Sequence, residues 1–152
     1  MLTVRPATAS DVDTLRRLTA AAFEKYVPRL GRDPKPMHND YREAVSAGRV
    51  WVAVAAGEIV GLALLVPHED HLLLDTVAVS PDAQGRGVGG RLLELADEQA
   101  RQAGRPEVRL CTNEVMTENL AYYPRRGYVE THRVEQNGLR RVYFRKPVAP
   151  PR

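Results

Sequence analysis

The chain has 152 residues, of which 43% are hydrophobic, and its formal net charge is +3. This length and composition predict one globular domain with one sizeable core. The basic residues are scattered without the aromatic side chains of a nucleic-acid surface, and no run approaches the roughly 18 apolar residues that span a membrane. We therefore expect neither a nucleic acid nor a membrane as a partner, and we interpret the pairs Arg125-Arg126 and Arg140-Arg141 as solvated side chains.

Cys111 is the only cysteine, so an internal disulfide is impossible. The first residues also lack the apolar stretch of a secretion signal, and together these features indicate a cytoplasmic protein. Cys111 has no histidine or acidic residue near it in sequence, which favours a small core residue over a nucleophile. No spacing of His, Cys and Asp resembles a metal site, so no metal is expected.

The first half of the chain mixes predicted helices and strands. Ser10 is a good N-cap, with Asp11 and Asp13 in the first turn of the helix, and Asn39 is the expected cap of a shorter helix. Gly57-Glu58 between two apolar runs predicts a hairpin. The predicted elements are a strand at 2–5, a helix from 10 to about 23, a loop at 24–38, a helix from 39 to about 47, and strands at 50–56 and 59–66.

The second half begins with a strand at 71–79 that is apolar on both faces, which places it in the middle of a covered sheet. Simple alternation puts Leu73, Val77 and Val79 on one face and Leu72, Leu74 and Ala78 on the other. The later predicted elements are a helix at 88–103, a strand at 108–112, a helix at 118–126, and strands at 128–136 and 140–146 that form a hairpin around Asn137-Gly138. This order predicts a mixed α/β domain over residues 1–147, followed by a loose tail at 148–152.

A glycine-rich turn joins the strand at 71–79 to the helix at 88–103. Glycines let the backbone approach an anion closely, and a helix N-terminus has unpaired N–H groups, so the turn predicts a pyrophosphate cradle. Because the turn holds no lysine, it is not the P-loop of a nucleoside triphosphatase. Gly85, Gly87 and Gly90 satisfy the dinucleotide pattern G-x-G-x-x-G, but they lie past mid-chain and leave too few strands for a Rossmann fold, which stays an alternative.

Two motifs carry a family resemblance. The run Gln84-Gly85-Arg86-Gly87-Val88-Gly89 resembles motif A of the GNAT superfamily of acyl-CoA N-acyltransferases, with its Q/R-x-x-G-x-G/A signature. The segment ENLAYYPRRGY at 118–128 resembles the superfamily's second motif, A-x-x-x-Y-x-x-x-G-F, in the right order and on the right elements. The resemblance covers nearly the whole chain. It implies a mixed, mostly antiparallel sheet of about seven strands, helices on both faces, and a central parallel strand pair that splays apart for coenzyme A (CoA).

This resemblance implies how the strand and the turn hold acetyl-CoA. Backbone N–H groups of the turn bind the pyrophosphate, and the strand before it pairs with the pantetheine arm as an added strand would. Asn119 is expected to reach a pantetheine amide, with Asn113 as another candidate. The matching residues of strand and turn are Val77, Ala78, Val79, Gln84, Gly85, Arg86, Gly87, Val88, Gly89 and Gly90.

Tyr123 lies four residues before Gly127, where the superfamily usually has a tyrosine that protonates the departing CoA thiolate. A phenol with a pKa of about 10 can supply that proton, or a hydrogen bond, to a thiolate whose conjugate acid has a pKa of about 8.5. Tyr122 is the adjacent competitor, about 100° away around the helix. The chain departs from the family pattern at Met116 and Asn119, where Asn and Ala are common.

Asp75 is the favoured general base for the amine, because it interrupts an apolar strand where an unpaired buried carboxylate would be costly. The histone-acetylating branch carries its glutamate base two residues earlier on this strand, where this chain has Leu73, so that arrangement is absent. Weaker alternatives for the base are Glu69, His71 and Glu114. A structural carboxylate remains the other interpretation of Asp75.

The resemblance also places the acceptor pocket at residues 26–37, where Tyr26 and Met37, together with Tyr41, are expected to line it. The function that follows is transfer of an acetyl group from acetyl-CoA to a primary amine, of a small molecule or a peptide, by direct attack in a ternary complex. The alternative is a non-catalytic CoA-binding sensor or interaction module. The acceptor is not identified by the sequence, and a homodimer through the C-terminal hairpin is expected only by analogy with the family.

Overall fold

The computed structural model describes residues 1–150 and contains one seven-stranded sheet in the order β1-β2-β3-β4-β5-β7-β6. All neighbouring strands are antiparallel except β4 and β5, which are parallel. This is the predicted mixed sheet with its central parallel pair, so the predicted fold is confirmed. The strands are β1 (Leu2–Pro6), β2 (Val50–Ala55), β3 (Glu58–Pro67), β4 (Leu72–Val79), β5 (Glu107–Asn113), β6 (Val129–Gln136) and β7 (Leu139–Pro147).

Five α-helices flank the sheet: α1 (Val12–Phe23), α2 (Val27–Leu30), α3 (Tyr41–Ser46), α4 (Val88–Gln102) and α5 (Thr117–Arg125). The predicted caps of α1 and α3 are each wrong by one or two residues. A 3-10 turn precedes α1, and a capping box there joins Thr8 to Asp11, with the Thr8 N–H donating to the Asp11 carboxylate at 2.8 Å. The cap of α3 is Asp40, which accepts from the Glu43 N–H at 3.0 Å.

The segment 24–38 was predicted as a loop, and this prediction is wrong because the segment forms helical turns. A 3-10 turn at Glu24–Tyr26 leads into α2, and another 3-10 turn occupies Lys35–His38. Proline is compatible with the first positions of such turns, since it has no N–H to leave unpaired there. Gly31 then ends α2 in the left-handed conformation, with φ of 71°.

A β-bulge in β4 changes which residues face each side of the sheet. Leu64 pairs with Thr76, and Leu65 pairs with Leu74, so Asp75 has no partner on β3. Simple alternation is therefore wrong beyond Asp75. On one face, Leu72 and Leu74 join the core beneath α4 and α5, and after the bulge Val77 and Val79 pack there too. Ala78 instead joins a second core beneath α1 and α3.

The C-terminal hairpin turns at Asn137 and Gly138, whose φ angles of 54° and 78° suit a type I′ turn. Within the predicted tail, the Val148 N–H donates to the Pro106 carbonyl at 2.9 Å, and its side chain packs against the core beneath α4 and α5. The last two tail residues, 151 and 152, lie outside the described residues.

Candidate active site

The parallel strands β4 and β5 separate soon after they pair. Their paired residues are Leu72 with Val108 and Leu73 with Arg109, and the pairing stops where the bulge at Asp75 begins. A cavity of about 760 Å³ opens beyond this point and is lined by both strands, the glycine turn, α5 and the segment 24–38. The splayed pair that the resemblance implied is thus present, and it divides the cavity between the two faces of the sheet.

The end of β4 directs backbone polar groups into this gap. The Ser80 N–H donates to the Val60 carbonyl at 2.8 Å, which makes this a hydrogen-bonded pair of the β3–β4 ladder. Because hydrogen-bonded and non-hydrogen-bonded pairs alternate, Ala78 also bonds to β3, whereas the N–H and C=O groups of Val77 and Val79 face β5. The Gln84 side-chain amide meets the Val79 carbonyl at 3.4 Å. An extended ligand arm could pair with β4 through the N–H and C=O groups of Val77 and the N–H group of Val79.

The glycine turn exposes the N-terminus of α4. Gly85 and Gly87 have φ of 81° and 82°, a conformation that L residues rarely adopt, and no other atom lies within 4 Å of a Cβ placed on either. The first bond within α4 runs from the Arg91 N–H to the Gly87 carbonyl, so the N–H groups of Val88 to Gly90 have no partner in the helix. Arg86 is exposed and does not line the cavity, whereas every other residue from Gln84 to Gly90 does. Unpaired N–H groups at the start of a helix, beside glycines with open space around them, can bind an anion.

Two further side chains, those of Arg126 and Tyr122, lie at this end of the cavity, and the sequence motifs did not indicate either as part of a phosphate site. The Arg126 guanidinium fills the space that a side chain at residue 90 would need, and it lies 5.4 Å from the centre of the Tyr122 ring. The Tyr122 hydroxyl lies 3.2 Å from the Cβ position of Gly89. Arg126 makes no ion pair with any residue from 1 to 150, and it lines the cavity, so its charge is available to a phosphate. Arg126 is exposed, as expected of a solvated side chain, but its contact with the Gly90 position also places it beside the start of α4.

Tyr123 lies on the inner side of α5 and lines the cavity at 7% exposure. Its ring packs against Tyr122, Tyr128 and Phe144, with centroids 5.6, 5.7 and 5.8 Å away. Burial raises the pKa of Tyr123 well above its usual value of about 10. The hydroxyl is therefore protonated throughout the physiological range, as a proton or hydrogen-bond donor must be.

The two candidate asparagines are held by neighbouring groups. The Asn119 amide nitrogen donates to Thr112 Oγ1 at 3.0 Å, and Asn119 lines the cavity beside Met116. Asn113 Oδ1 accepts from the Val115 N–H at 3.1 Å, which caps the turn after β5. Asn119 therefore keeps one face toward the cavity, while the carbonyl oxygen of Asn113 is already used.

Asp75 lies at the bulge and lines the cavity, with its side chain 23% exposed and its Oδ1 3.4 Å from Lys35 Nζ. The Asp75 carboxylate is therefore less buried than a base inside an apolar strand was expected to be, and it forms an ion pair with Lys35. The weaker alternatives for the base lie elsewhere: Glu69 and His71 do not line the cavity, and Glu114 bonds to Arg133 at 3.1 Å. Asp75 is the only predicted base among the cavity-lining residues within 1–150.

The segment 24–38 covers the cavity on the side opposite α4. Tyr26 lines the cavity as predicted, but Met37 does not, and Tyr41 is fully buried, with its hydroxyl donating to the Pro36 carbonyl at 2.6 Å. The expectation that all three line the acceptor pocket is therefore wrong for two of them. Burial raises the pKa of Tyr41, as expected for a core tyrosine.

Ion pairs tie this covering segment to α5. Glu118, in the first turn of α5, accepts from Arg29 at 2.6 Å and lies 3.3 Å from Lys25. Hydrogen bonding from Arg29 lowers the pKa of Glu118 to about 2. The carboxylate is thus ionised at neutral pH and holds the segment across the mouth of the cavity.

Comparison with known proteins agrees with this geometry. Residues 46–130 match the Acetyltransferase (GNAT) domain, which is more than half of the chain. The chain belongs to the GNAT acetyltransferase family. Its relatives include an aminoalkylphosphonate N-acetyltransferase of Salmonella typhimurium, 32% identical over 87 residues that cover 53% of this chain and 56% of the relative. A mycothiol acetyltransferase of Rhodococcus opacus is 42% identical over 63 residues, covering 41% of this chain and 19% of the relative. The chain thus spans about half of the first relative's length and about a fifth of the second's.

A solved structure shows the same fold as this GNAT domain. The PaiA N-acetyltransferase of Thermoplasma acidophilum, determined in complex with CoA, superposes with a TM-score of 0.78 at 15% identity, over 97% of this chain and 99% of the other. Within residues 1–150, no three His, Cys, Asp or Glu side chains are grouped as a metal site would require. None of the helices in this part of the chain combines the length and the hydrophobicity of a membrane span.

Proposed function

We propose that this GNAT domain transfers an acetyl group from acetyl-CoA to a primary amine by direct attack in a ternary complex. The observation that carries the proposal is the single cavity that joins the glycine turn to the bulge at Asp75. One end offers unpaired N–H groups and Arg126 to phosphates, and the other offers a carboxylate to an amine. A nucleophile and a thioester could therefore meet where β4 and β5 separate.

The donor half of the mechanism uses mostly backbone groups. The N–H groups at the start of α4, with Arg126, hold the pyrophosphate, and the Val77 carbonyl and the Val79 N–H pair with the pantetheine arm. This leaves the thioester beside the bulge. There the Val77 N–H, the group of β4 nearest Asp75 that faces β5, polarises the thioester carbonyl and stabilises the negative charge that forms on its oxygen.

The acceptor half begins with an alkylammonium, which must lose a proton before it can attack. Asp75 accepts this proton, directly or through a water molecule, and the amine nitrogen then forms a bond to the thioester carbon. The carbon–sulfur bond breaks as the tetrahedral intermediate collapses, and the nitrogen releases its second proton to solvent. Tyr123 donates a proton or a hydrogen bond to the leaving thiolate and regains a proton from water, so that free CoA and an acetamide are formed.

The test is release of the CoA thiol from acetyl-CoA in the presence of single amines. The panel should include amino acids, aminophosphonates, polyamines, aminoglycosides and peptides with free N-termini or lysines. Amine-dependent release with at least one class supports the proposal. If acetyl-CoA raises the melting temperature but no amine accelerates release, a non-catalytic CoA-binding module replaces the enzyme. Stabilisation by NAD but not by CoA would contradict both and favour a nucleotide-binding protein.

We further propose that the protein acts in the cytoplasm as a homodimer. The support for a dimer is strand β6, which lies at the edge of the sheet with all eight residues exposed, including Val129 at 59% and Val134 at 39%. An exposed edge strand can pair with a second copy of itself. Sedimentation of the purified protein as a monomer over a range of concentrations would contradict this part of the proposal.

A further inference from the structure

Adjacent arginines of β7 have opposite surroundings. Val142 and Phe144 point into the core beneath α4 and α5, so Arg141 and Tyr143 lie on the other face, beside their partners Asn113 and Cys111 on β5. Arg141 lines the cavity, whereas Arg140 does not and pairs with Glu114 at 3.4 Å. Strand alternation places these two arginines on opposite faces, so the expectation of one solvated pair is wrong for Arg141.

Among residues 1–150, Arg141 has no partner for its charge. Its Nε is inaccessible to solvent and makes no hydrogen bond, and no acidic oxygen of residues 1–150 lies within 4 Å of its guanidinium nitrogens. Its neighbours along the strand differ, since Arg140 pairs with Glu114 and Arg145 pairs with Glu107 at 3.3 Å. A buried guanidinium N–H without an acceptor is unfavourable, and a bound anion would satisfy it.

A second unpaired arginine lies near this end of the cavity. Arg32, from the covering segment, lines the cavity, and its Nη2 lies 3.3 Å from the Cβ position of Gly138, in the turn before β7. Across the part of the chain described, Arg32 has no acidic partner within ion-pair distance. The positive charge at this end thus comes from two elements, β7 and the covering segment, while Lys35 is already paired with Asp75.

The CoA phosphates do not account for these two arginines. The glycine turn and Arg126 serve the phosphates on the α4 side of the sheet, and the pantetheine arm that reaches through the gap carries no charge. Arg141 lies on the opposite face, the face covered by residues 24–38. An anion bound there must therefore belong to the other substrate.

We propose that the acceptor is an amine that also carries an anionic group, a carboxylate or a phosphonate, which Arg141 binds together with Arg32 while the amine faces Asp75. This inference rests on the proposed function, because it assigns the second substrate of the same reaction. Arginine suits this role, since its planar guanidinium can bond two oxygens of a carboxylate or phosphonate at once.

The test compares acceptors that differ only in the anion. β-Alanine, 2-aminoethylphosphonate and neutral β-alaninamide are offered with acetyl-CoA, together with homologues one carbon shorter and longer. The wild type should acetylate at least one anionic amine with a kcat/KM about 10-fold or more above that of the amide. The Arg141→Gln variant should lose this preference by raising KM for the anionic amine about 10-fold or more, with kcat/KM for the amide unchanged. The carboxylate and phosphonate arms show which anion fits.

Arg140→Gln is the matched control, one residue away on the same strand but outside the cavity, and it should keep the wild-type preference. Arg141→Lys should keep part of the preference for the anionic amine over the amide. Arg32→Gln should weaken that preference several-fold. Either variant tests the inference if Arg141→Gln fails to fold. A wild type that prefers the amide, or an Arg141→Gln variant that lowers both activities equally, would overturn the inference.

Calorimetry separates this inference from the proposed function. 2-Aminoethylphosphonate and β-alanine are each titrated into the protein saturated with CoA, for the wild type and for Arg141→Gln. One result would support the anion site and contradict the enzymatic function. In that result, an anionic probe binds to the wild type but not to Arg141→Gln, and no amine causes release of CoA from acetyl-CoA. Release of CoA from acetyl-CoA with neutral amines, but no binding of either anionic probe, would support the enzymatic function and contradict the anion site.

Discussion

The cavity has a phosphate end, at the turn 84–90, and an acceptor end, at Asp75 and Arg141, and the two ends offer different kinds of group to the ligands proposed for them. At the phosphate end, the recognition groups are mainly backbone N–H groups, presented by glycines with positive φ and by the start of a fifteen-residue helix. At the acceptor end they are side chains, those of Asp75, Arg32 and Arg141, carried by a bulge, the bend after α2, and strand β7 between β5 and β6. A backbone site is fixed by local conformation, whereas a side-chain site depends on how distant segments pack.

This difference explains why one ligand can be proposed from a motif and the other cannot. A glycine turn that opens a helix binds phosphate in any chain that can form it. The acceptor end can change with single substitutions of Arg141 or Arg32 and leave the sheet intact. We therefore expect substitutions at the two ends to affect different kinetic parameters.

The largest effect is expected at the phosphate end from Gly87→Asp. A carboxylate there would lie among the N–H groups that bind the pyrophosphate, where like charges cost several kcal/mol, so KM for acetyl-CoA should rise about 1,000-fold. The measurement is the acetyl-CoA dependence of CoA release, with the melting temperature as a check on folding.

Gly57→Asp is a close control for the backbone strain in that variant. Gly57 has φ of 78° against 82° for Gly87, and neither glycine has another atom within 4 Å of its Cβ position. The two variants should therefore lose similar stability, but only Gly87→Asp should lose affinity for acetyl-CoA. An equal loss of affinity in both would show that strain, and not charge at the turn, is responsible.

The phosphate end was predictable from sequence because its signal is local. Gln84 to Gly90 form a contiguous run, in which Gly85 and Gly87 adopt the positive φ of the turn before α4. Arg126 was missed since its role depends on the absent side chain of Gly90, which is distant in sequence. Arg126, at the C-cap of α5, lies one helical turn after Tyr122, so a helical projection of α5 could have predicted that these two side chains are neighbours.

A smaller effect is expected where the two ends meet, from Tyr123→Phe. Loss of a general acid or hydrogen-bond donor should lower kcat about 100-fold and leave KM for acetyl-CoA nearly unchanged. Burial raises the pKa of Tyr123, so in the wild type kcat should not fall through deprotonation of Tyr123 at any pH below about 10. An unchanged kcat in Tyr123→Phe would leave this tyrosine with only a packing role against Tyr128 and Phe144.

Asp75→Asn should lower kcat/KM for the amine by about 10-fold, less than Tyr123→Phe lowers kcat, because a water chain can partly replace an exposed base. Lys35→Met is the control, since it removes the ion pair but keeps the carboxylate. If Lys35→Met reproduces the loss seen in Asp75→Asn, Asp75 acts by holding Lys35 and is not the base.

The acceptor end was less predictable because its signals are tertiary. The bulge at Asp75 arises from the register between β3 and β4, which alternation within β4 alone does not contain. Met37 and Tyr41 were expected in the pocket by their position in the chain, but the helical turns of 24–38 place Tyr41 in the core beneath α1 and α3. Arg141 could have been separated from Arg140 by applying period-two alternation to β7.

The smallest effect on activity is expected from Asp11→Asn, which touches neither end of the cavity. Hydrogen bonding from Arg5 lowers the pKa of Asp11 to about 2 from 3.8, so this carboxylate stabilises the fold above about pH 4 and loses that contribution as the pH falls toward 2. With the Asp11 side chain 11% exposed, the shift corresponds to about 2 kcal/mol, which the variant should lose at pH 7.

Asp13→Asn in the same helix is the control, because Asp13 is 76% exposed and its pair with Arg16 should contribute about 0.5 kcal/mol or less. Denaturant unfolding at pH 7 and pH 3 should show Asp11→Asn and the wild type converging as the pH falls, while kcat and both KM values stay at wild-type levels at pH 7. A change in KM for either substrate would mean that the packing of α1 is coupled to the covering segment that follows it. In that case the acceptor end would depend on residues outside the cavity, and it would need more of the fold than the phosphate end does.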